Sequence, residues 1–266
     1  MKLIESSVQI IEEKDPYKMI ELAGRTCYKS ESNITEDSAK EFVDRMIKLG
    51  HGAMLEHGTI YLKIDKTEDG HLPPARLYWS DGNHKKYTRV RKHGNSIYVT
   101  TNLRVIVENN RLDDLQYQVE PTEHHEKRIT AKFICDRGVS HEFVRHRVFS
   151  FAQESQRYCN YSKDKFNKEV VFIKPAWYKD DASIVRSLER TLCEILQNCE
   201  NYYFYLLEDG AKPQEARAVL PNATKTELVM TGFESDWEHF FELRCSGAAH
   251  PDAKKLADEL YKLIHK

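Results

Sequence analysis

The chain of 266 residues carries 40 lysines and arginines against 42 aspartates and glutamates, a formal net charge of −2, and is 40% hydrophobic. That length lets one or two globular units bury roughly 70–75% of their unfolded surface. The near-balanced charge excludes a molecule built as a whole to hold nucleic acid or an anionic membrane, so an anion site has to come from local clusters of Arg and Lys.

The first fifteen residues hold no apolar stretch of signal-peptide length, and nowhere do eighteen apolar residues run together. A cytoplasmic protein without a spanning helix is therefore expected. In chain order, Asp15-Pro16 has the chemistry of a helix start, an N-cap carboxylate with Pro at the first helical position. A second helix follows, with Thr35 placed to cap it, Phe42, Val43, Met46 and Ile47 on one apolar face, and Gly50 at its stop. Residues 59–64 alternate β-branched and aromatic side chains as a strand does. Between 65 and 95, Gly70, Pro73, Pro74 and Gly82 break the periodicity and residues 84–93 are strongly basic, which reads as an inserted loop or hairpin. Strand-like runs return at 97–101, 103–107 and 129–135, and the polar segment 108–127 reads as an exposed connection.

The longest helix is predicted over 182–208, where Val185, Leu188, Leu192, Ile195, Leu196, Cys199, Tyr203 and Leu206 recur at three- and four-residue steps. A short helix opens at Pro213 and must stop before Pro221. Ser235 with Glu238 three residues later forms a capping box for another, and a last helix covers about 252–264. Strands in the first half and helices in the second predict an α+β fold: a single mixed α/β domain over 1–266, its sheet packed against helices, with 65–127 as an insertion.

Two features bear chemistry. Trp237, Phe240, Phe241 and Arg244 fall on one helical stripe, so a guanidinium extends an aromatic face that should point inward. A buried guanidinium needs an acceptor, and the pattern admits either a structural ion pair or a ligand-facing Arg. The second feature is the run 140–158, SHEFVRHRVFSFAQESQRY. Ser140 is placed to cap a short helix ending near Arg145-His146-Arg147, where basic groups suit the helix C-terminus. If the stretch beyond is extended, Gln153, Ser155 and Arg157 face one way, a surface suited to a phosphate and a polar heterocycle. His141-Glu142-x-x-x-His146 has one residue too many for a zinc-protease helix, since i and i+5 separate the imidazoles by about 140°, and no metal is expected. The six cysteines show no CxxC pair or framework spacing and read as reduced thiols.

Arg145-His146-Arg147, seven residues and then Ser155, with Arg157-Tyr158 after it, resembles the signature of flavin-dependent thymidylate synthases. Gly50-His51 through Glu56-His57, Ala216-Arg217-x-Val219-Leu220-Pro221 and Phe240 to Arg244 resemble three further segments of that family, in the same order. The resemblance implies reductive methylation of dUMP to dTMP with methylenetetrahydrofolate as carbon donor, FAD as redox cofactor and NADPH as reductant. It implies a homotetramer with active sites between subunits. By the same resemblance Glu142, Arg145, Gln153, Ser155, Arg157, Arg217 and Arg244 would bind dUMP, with Arg217 on the 5′-phosphate and Arg244 on the uracil edge as the catalytic group. Arg145, His146, Arg147, Gln153 and His239 would contact FAD.

There are departures from the family pattern. Ala152-Gln153 stands where many members have Asn-Glu, and Ala53 replaces the usual Ser or Thr. His239 replaces a flavin-contacting Asn, and two other polar flavin contacts of the family fall at Phe233 and Ser235. No Pro-Cys-His segment signals a cysteine nucleophile. Ser155 has no evident base beside it and is expected to position the nucleotide by hydrogen bonding. The alternative is a non-catalytic nucleotide- or nucleic-acid-binding protein that uses the same Arg cluster and the basic stretch 84–93.

Overall fold

The structure is a computed structural model that describes residues 1–66, 79, 87–179 and 187–266. Gly70, Pro73, Pro74, Gly82, residues 84–86 and Val185 lie outside the described residues. Two short strands, β1 (Lys2–Ile4) and β2 (Ser7–Ile10), precede helix α1 (Pro16–Tyr28). The Asp15 carboxylate accepts from the Tyr17 and Lys18 N–H groups, satisfying two orphan donors of α1. Helix α2 (Ser38–Lys48) starts two residues later than a Thr35 cap predicts. The Thr35 N–H donates instead to the Ser38 hydroxyl, which in turn donates to Glu21, so this polar contact ties the entry of α2 to α1.

The short helix α3 (Gly52–Leu55) leads into β3 (Thr59–Asp65), which pairs along its length with β5 (Ser96–Asn102), itself paired with β4 (Arg89–His93). β4 is the edge of this three-stranded sheet, and Arg91, Lys92 and His93 are solvated there. Residues 103–107, predicted as a strand, form helix α4 (Leu103–Glu108). The β-branched composition argued for a strand, but the Asn102 side chain accepts from the Val105 N–H and starts a helix. Segment 108–127 is more than an exposed connection: Asp114 and His125 are buried within it, and the two imidazole nitrogens of His125 lie against Thr122 and the Leu62 carbonyl.

Strand β6 (Arg128–Asp136), helix α5 (Arg137–Phe143), β7 (Ser150–Gln153) and β8 (Val171–Ile173) follow, then α6 (Ser187–Glu208), α7 (Pro213–Ala216), β9 (Lys225–Phe233), α8 (Glu234–Arg244) and α9 (Pro251–Ile264). The main sheet is antiparallel in the order β2-β6-β9-β7, while β1 and β8 form a parallel pair. The chain is thus α+β, with sheets packed against helices. The sequence division into early strands and late helices fails at β9, which is central to the main sheet. It is buried on both faces from Thr226 to Phe233, so the alternation that marks a half-exposed strand is absent.

One face of the main sheet presents Ala131, Phe133, Leu228 and Met230 to Phe143, Phe240, Leu256 and Leu260 from α5, α8 and α9. Each such side chain contributes roughly 1.5–3 kcal/mol by leaving water. The other face packs Val229 and Ala152 on Ala23 of α1. On that side Glu227 is buried among Lys29, Lys132 and Lys225, at 2.8, 2.6 and 2.5 Å. Burial alone would raise its pKa, but the lysines hold the carboxyl far below its ordinary range. At Gly232 the ring of Phe149 lies where a side chain would begin: a Cβ there would sit 2.4 Å from it. Among the described residues no helix is long and apolar enough to cross a membrane.

His57 is fully buried, its Nδ1 2.8 Å from the Thr231 hydroxyl, which bonds Thr130 in turn. Its Nε2 is buried without a hydrogen-bond partner among the described residues. Burial, assisted by the Arg128 charge, lowers its pKa to about 3. Since the unfolded imidazole takes its proton near pH ~6.5, His57 supports folding fully above that pH, and the support is lost as pH falls towards 3. The melting temperature is expected to fall between pH 7 and 4, and calorimetry should find the fall shallower in His57→Gln.

Candidate active site

Helix α5 continues directly from β6. The Asp136 carboxylate accepts from the Val139 N–H at 2.8 Å and is the true N-cap. Ser140, predicted in that role, lies inside the helix and donates to the Arg137 carbonyl. The helix ends at the triplet, as expected, and buried Phe143 and Phe149 anchor the chain on either side. His146 therefore points inward while Arg145 and Arg147 are exposed, and neither guanidinium is bonded to a described residue.

Arg244 reaches this point from the far end of α8. Trp237, Phe240 and Phe241 are buried on the predicted stripe, and the Arg244 side chain is 17% exposed. Its Nη1 donates to the Glu142 carboxylate at 2.5 Å, Nη2 to the Glu142 carbonyl at 2.7 Å and Nε to His146 Nε2 at 3.0 Å. Of the two readings the sequence left open, the ion pair is present, and its partner is itself a nominated site residue. Because Nε2 accepts, the His146 proton resides on Nδ1. Burial, then Arg244 and His239, lowers the His146 pKa to about 4, so the ring is neutral near pH 7. His239 is exposed, its ring 6.4 Å from that of His146 and its Nδ1 3.2 Å from the Glu242 carboxylate.

The Ser235–Glu238 capping box is not formed. α8 begins at Glu234, the Phe233 N–H reaches the Asp236 carboxylate, and the Ser235 hydroxyl donates to Glu126.

A second group forms on the opposite side of α5. Gln153 Nε2 donates to the Ser140 hydroxyl at 2.8 Å and to Thr226 at 3.3 Å. Arg137, at the start of the same helix, has its Nη1 buried with no hydrogen-bond partner. Burial and the like charge of Arg217 lower its pKa, while Tyr161 and Glu154 oppose that shift. The guanidinium of Arg217, in the turn after α7, is likewise not bonded to a described residue. Sequence reasoning missed Arg137. The available signal was a cation in the first turn of a helix, where the dipole disfavours it.

Ser155 and Arg157 form a third group. β7 ends at Gln153, so the alternate-facing row predicted through Arg157 is cut short, and the two residues lie in and beside the turn that follows. The Ser155 N–H donates to the Cys27 carbonyl, and its hydroxyl accepts from the Arg157 N–H; no imidazole or carboxylate among the described residues partners it. Arg157 is exposed above the Tyr158 ring, which packs 5.0 Å from that of Tyr28. These rings, with Cys27, His51, Gly52, Met54 and Arg104, line an open cleft of about 420 Å³. Cys159 is fully buried and burial pushes its thiol up to about 12, which leaves no thiolate for attack. Within one chain the three groups thus flank α5 and β7 without forming one closed pocket.

Three curated relatives, each described as a flavin-dependent thymidylate synthase, align with this chain. That of Geobacter sulfurreducens is 34% identical over 128 residues, 48% of this chain and 52% of the relative. That of Mycobacterium tuberculosis is 37% identical over 139 residues, 48% and 53% of the two chains. That of Pyrococcus furiosus is 31% identical over 123 residues, 46% and 48%. This chain spans about half the length of the curated relatives it matches. A crystal structure of a UMP/dUMP methylase from Streptomyces cacaoi aligns over 99% of this chain and 92% of that one, with 16% identity and a TM-score of 0.46, too low to decide anything about the site. The family model described as thymidylate synthase complementing protein matches residues 9–69 and 118–266, which include all ten residues nominated from the sequence. The chain belongs to the thymidylate synthase complementing protein family.

Proposed function

We propose that this chain methylates dUMP reductively to dTMP, with methylenetetrahydrofolate as carbon donor, FAD as redox cofactor and NADPH as reductant. The observation that carries the reading is the Arg137–Arg217 pair beside Gln153. Arg137, with a buried unpaired nitrogen and the like charge of Arg217 acting on it, is costly to keep charged until an anion joins them. A nucleotide 5′-phosphate has the charge and the acceptors to do so. Gln153, whose amide group is fixed by Ser140 and Thr226, adds a polar contact for the base or sugar, and the anchored Ser155 hydroxyl and Arg157 complete the nucleotide contacts.

The residues fit a flavin as well. The tyrosine and methionine walls of the cleft suit a flat ring, and Arg145 and Arg147 are free to take a pyrophosphate. We assign FAD contacts to these two arginines together with His146, Gln153 and His239. FAD supplies the reducing equivalents when bound. The protein's own part is electrostatic. Glu142 and neutral His146 hold the Arg244 guanidinium in one orientation, from which it stabilises negative charge on the uracil ring during activation. Arg145 reaches the same nucleotide from the exposed side.

We read about 65–127 as an insertion in one domain, and 70–117 of it lie outside the family match. We also read the active site as completed between copies in a homotetramer. Leu188, Ile195 and Tyr202 of α6 recur every seven residues and are 65%, 52% and 60% exposed, an apolar stripe suited to helix packing between copies.

Purified protein supplied with FAD is expected to be yellow, to bleach with NADPH under anaerobic conditions, and to form dTMP from dUMP and methylenetetrahydrofolate. Absence of dTMP from fully flavin-loaded protein rejects the reading. Arg137→Ala and Arg217→Ala should each raise the KM for dUMP roughly 10- to 100-fold, the equivalent of about 1.5–3 kcal/mol for a charge-assisted bond. Binding of unphosphorylated deoxyuridine should be unchanged. Ser155→Ala should keep kcat within about tenfold of wild type, the worth of one neutral hydrogen bond of about 0.5–1.5 kcal/mol; complete loss with intact dUMP binding would make Ser155 a nucleophile. Ile195→Glu should lower the mass measured by light scattering.

A further inference from the structure

The cleft beside Ser155 receives one side chain from outside the family match. Arg104 lies on α4, within the unmatched residues 70–117, yet it lines the same cleft as His51, Tyr28 and Tyr158. Its Nη1 donates to Glu56 at 2.5 Å and its Nε to Glu108 at 2.7 Å, whereas Nη2 is not bonded to any described residue. The guanidinium lies against Gly52, where a Cβ would sit only 2.9 Å from Nε. The absence of a side chain at Gly52 therefore admits Arg104 to the cleft. The unmatched segment also reaches the main sheet elsewhere: Arg89 of β4 lies 4.2 Å from the centre of the Phe233 ring and bonds Asp236 at the start of α8.

We propose that Arg104 is a ligand-positioning residue added to this site by the inserted segment, whose guanidinium takes the anionic arm of a flat heterocyclic ligand seated between Tyr28, His51 and Tyr158. The inference rests on the thymidylate-synthase reading of the cleft. Three features favour an anion at this place. The guanidinium is aimed by two carboxylates, so its direction is set before a ligand arrives. It retains a donor edge after both ion pairs are made. The surrounding walls are aromatic and thioether surfaces that bury a ring, and among the described residues that line the cleft Arg104 is the one arginine or lysine. A flavin dinucleotide, through its phosphates, and a reduced folate, through its glutamate carboxylates, share this chemistry.

Binding measurements separate the two and are independent of turnover. Fluorescence and calorimetric titrations of the whole protein would compare FAD with riboflavin, and tetrahydrofolate with tetrahydropterin, in wild type, Arg104→Ala, Arg104→Gln and Gly52→Ala. Expected is a loss of tenfold or more for one anionic member, FAD or tetrahydrofolate, with affinity for its uncharged ring unchanged; the member affected names the ligand. Gly52→Ala should reproduce that loss by displacing Arg104, and Arg104→Gln keeps the test open should the alanine variant not fold. The inference is overturned if charged and uncharged members weaken equally, if all affinities stay within twofold at unchanged Tm, or if wild type binds none of the four. Wild type that binds these ligands but forms no dTMP would instead overturn the proposed reaction and leave the binding role of Arg104 standing.

Discussion

The meeting of Arg244 with Glu142, and of Gln153 with Ser140, hangs on the ladder between β6 and β9. Nine consecutive residues of each strand pair, from Arg128 opposite Phe233 to Asp136 opposite Lys225. The two strands run antiparallel, so α5 leaves one end of the ladder and α8 leaves the other. The helices then pack on the same face of the sheet, Phe143 against Phe240, and this brings Glu142 and Arg244 together across 102 residues of sequence. β7 adds to the free edge of β9 and carries Gln153 to Ser140 and Thr226. A register slip of one residue in the ladder would turn Phe133 and Leu228 away from the helices and dissolve the meeting point.

The arginines divide by how their charge is met. Arg244 and Arg104 are oriented by carboxylates, and buried Arg128 is held by the Glu56 carbonyl and the Thr59 and Ser150 hydroxyls. Arg128 lacks a carboxylate, and burial lowers its pKa to about 10, which still leaves it charged near pH 7. Arg137, Arg145, Arg147, Arg157 and Arg217 form no ion pair with a described residue. A protein of net charge −2 could have paired them, and it does pair buried lysines elsewhere, around Glu227. Three of these, Arg145, Arg147 and Arg157, lie along one signature segment, which accords with the proposed anionic ligands.

Much of this was legible in the sequence where a local rule had no competitor. The Asp15 cap, the α2 face, β3 and the terminal helix follow from capping and periodicity. The aromatic stripe of α8 announced that Arg244 needed an acceptor, although nothing local named Glu142 as the one. Errors came where tertiary context overrode local pattern. Leu103 to Glu108 has strand composition, but Asn102 caps it into a helix; β9 has no alternation because helices cover both its faces. Ser140 and Ser235 look like caps, yet Asp136 caps α5, and α8 starts one residue before Ser235 with Asp236 accepting from the Phe233 N–H. Arg137 offered only the weak signal of a cation in a first turn, because an unpaired state is a property of neighbours, not of a residue.

The contact of Phe149 with Gly232 carries a consequence for how variation in this chain should be interpreted. The ring that follows the Arg145–Arg147 triplet occupies the volume of an absent side chain on β9, so the triplet is keyed to the sheet by a cavity one methyl group in size. Any residue other than glycine at 232 would push Phe149 outwards, and with it the segment that aims His146 at Arg244. Such a change would look like a lesion of chemistry, although the altered atom touches no ligand group. The glycine is in effect part of the signature, written on a strand some eighty residues away from it.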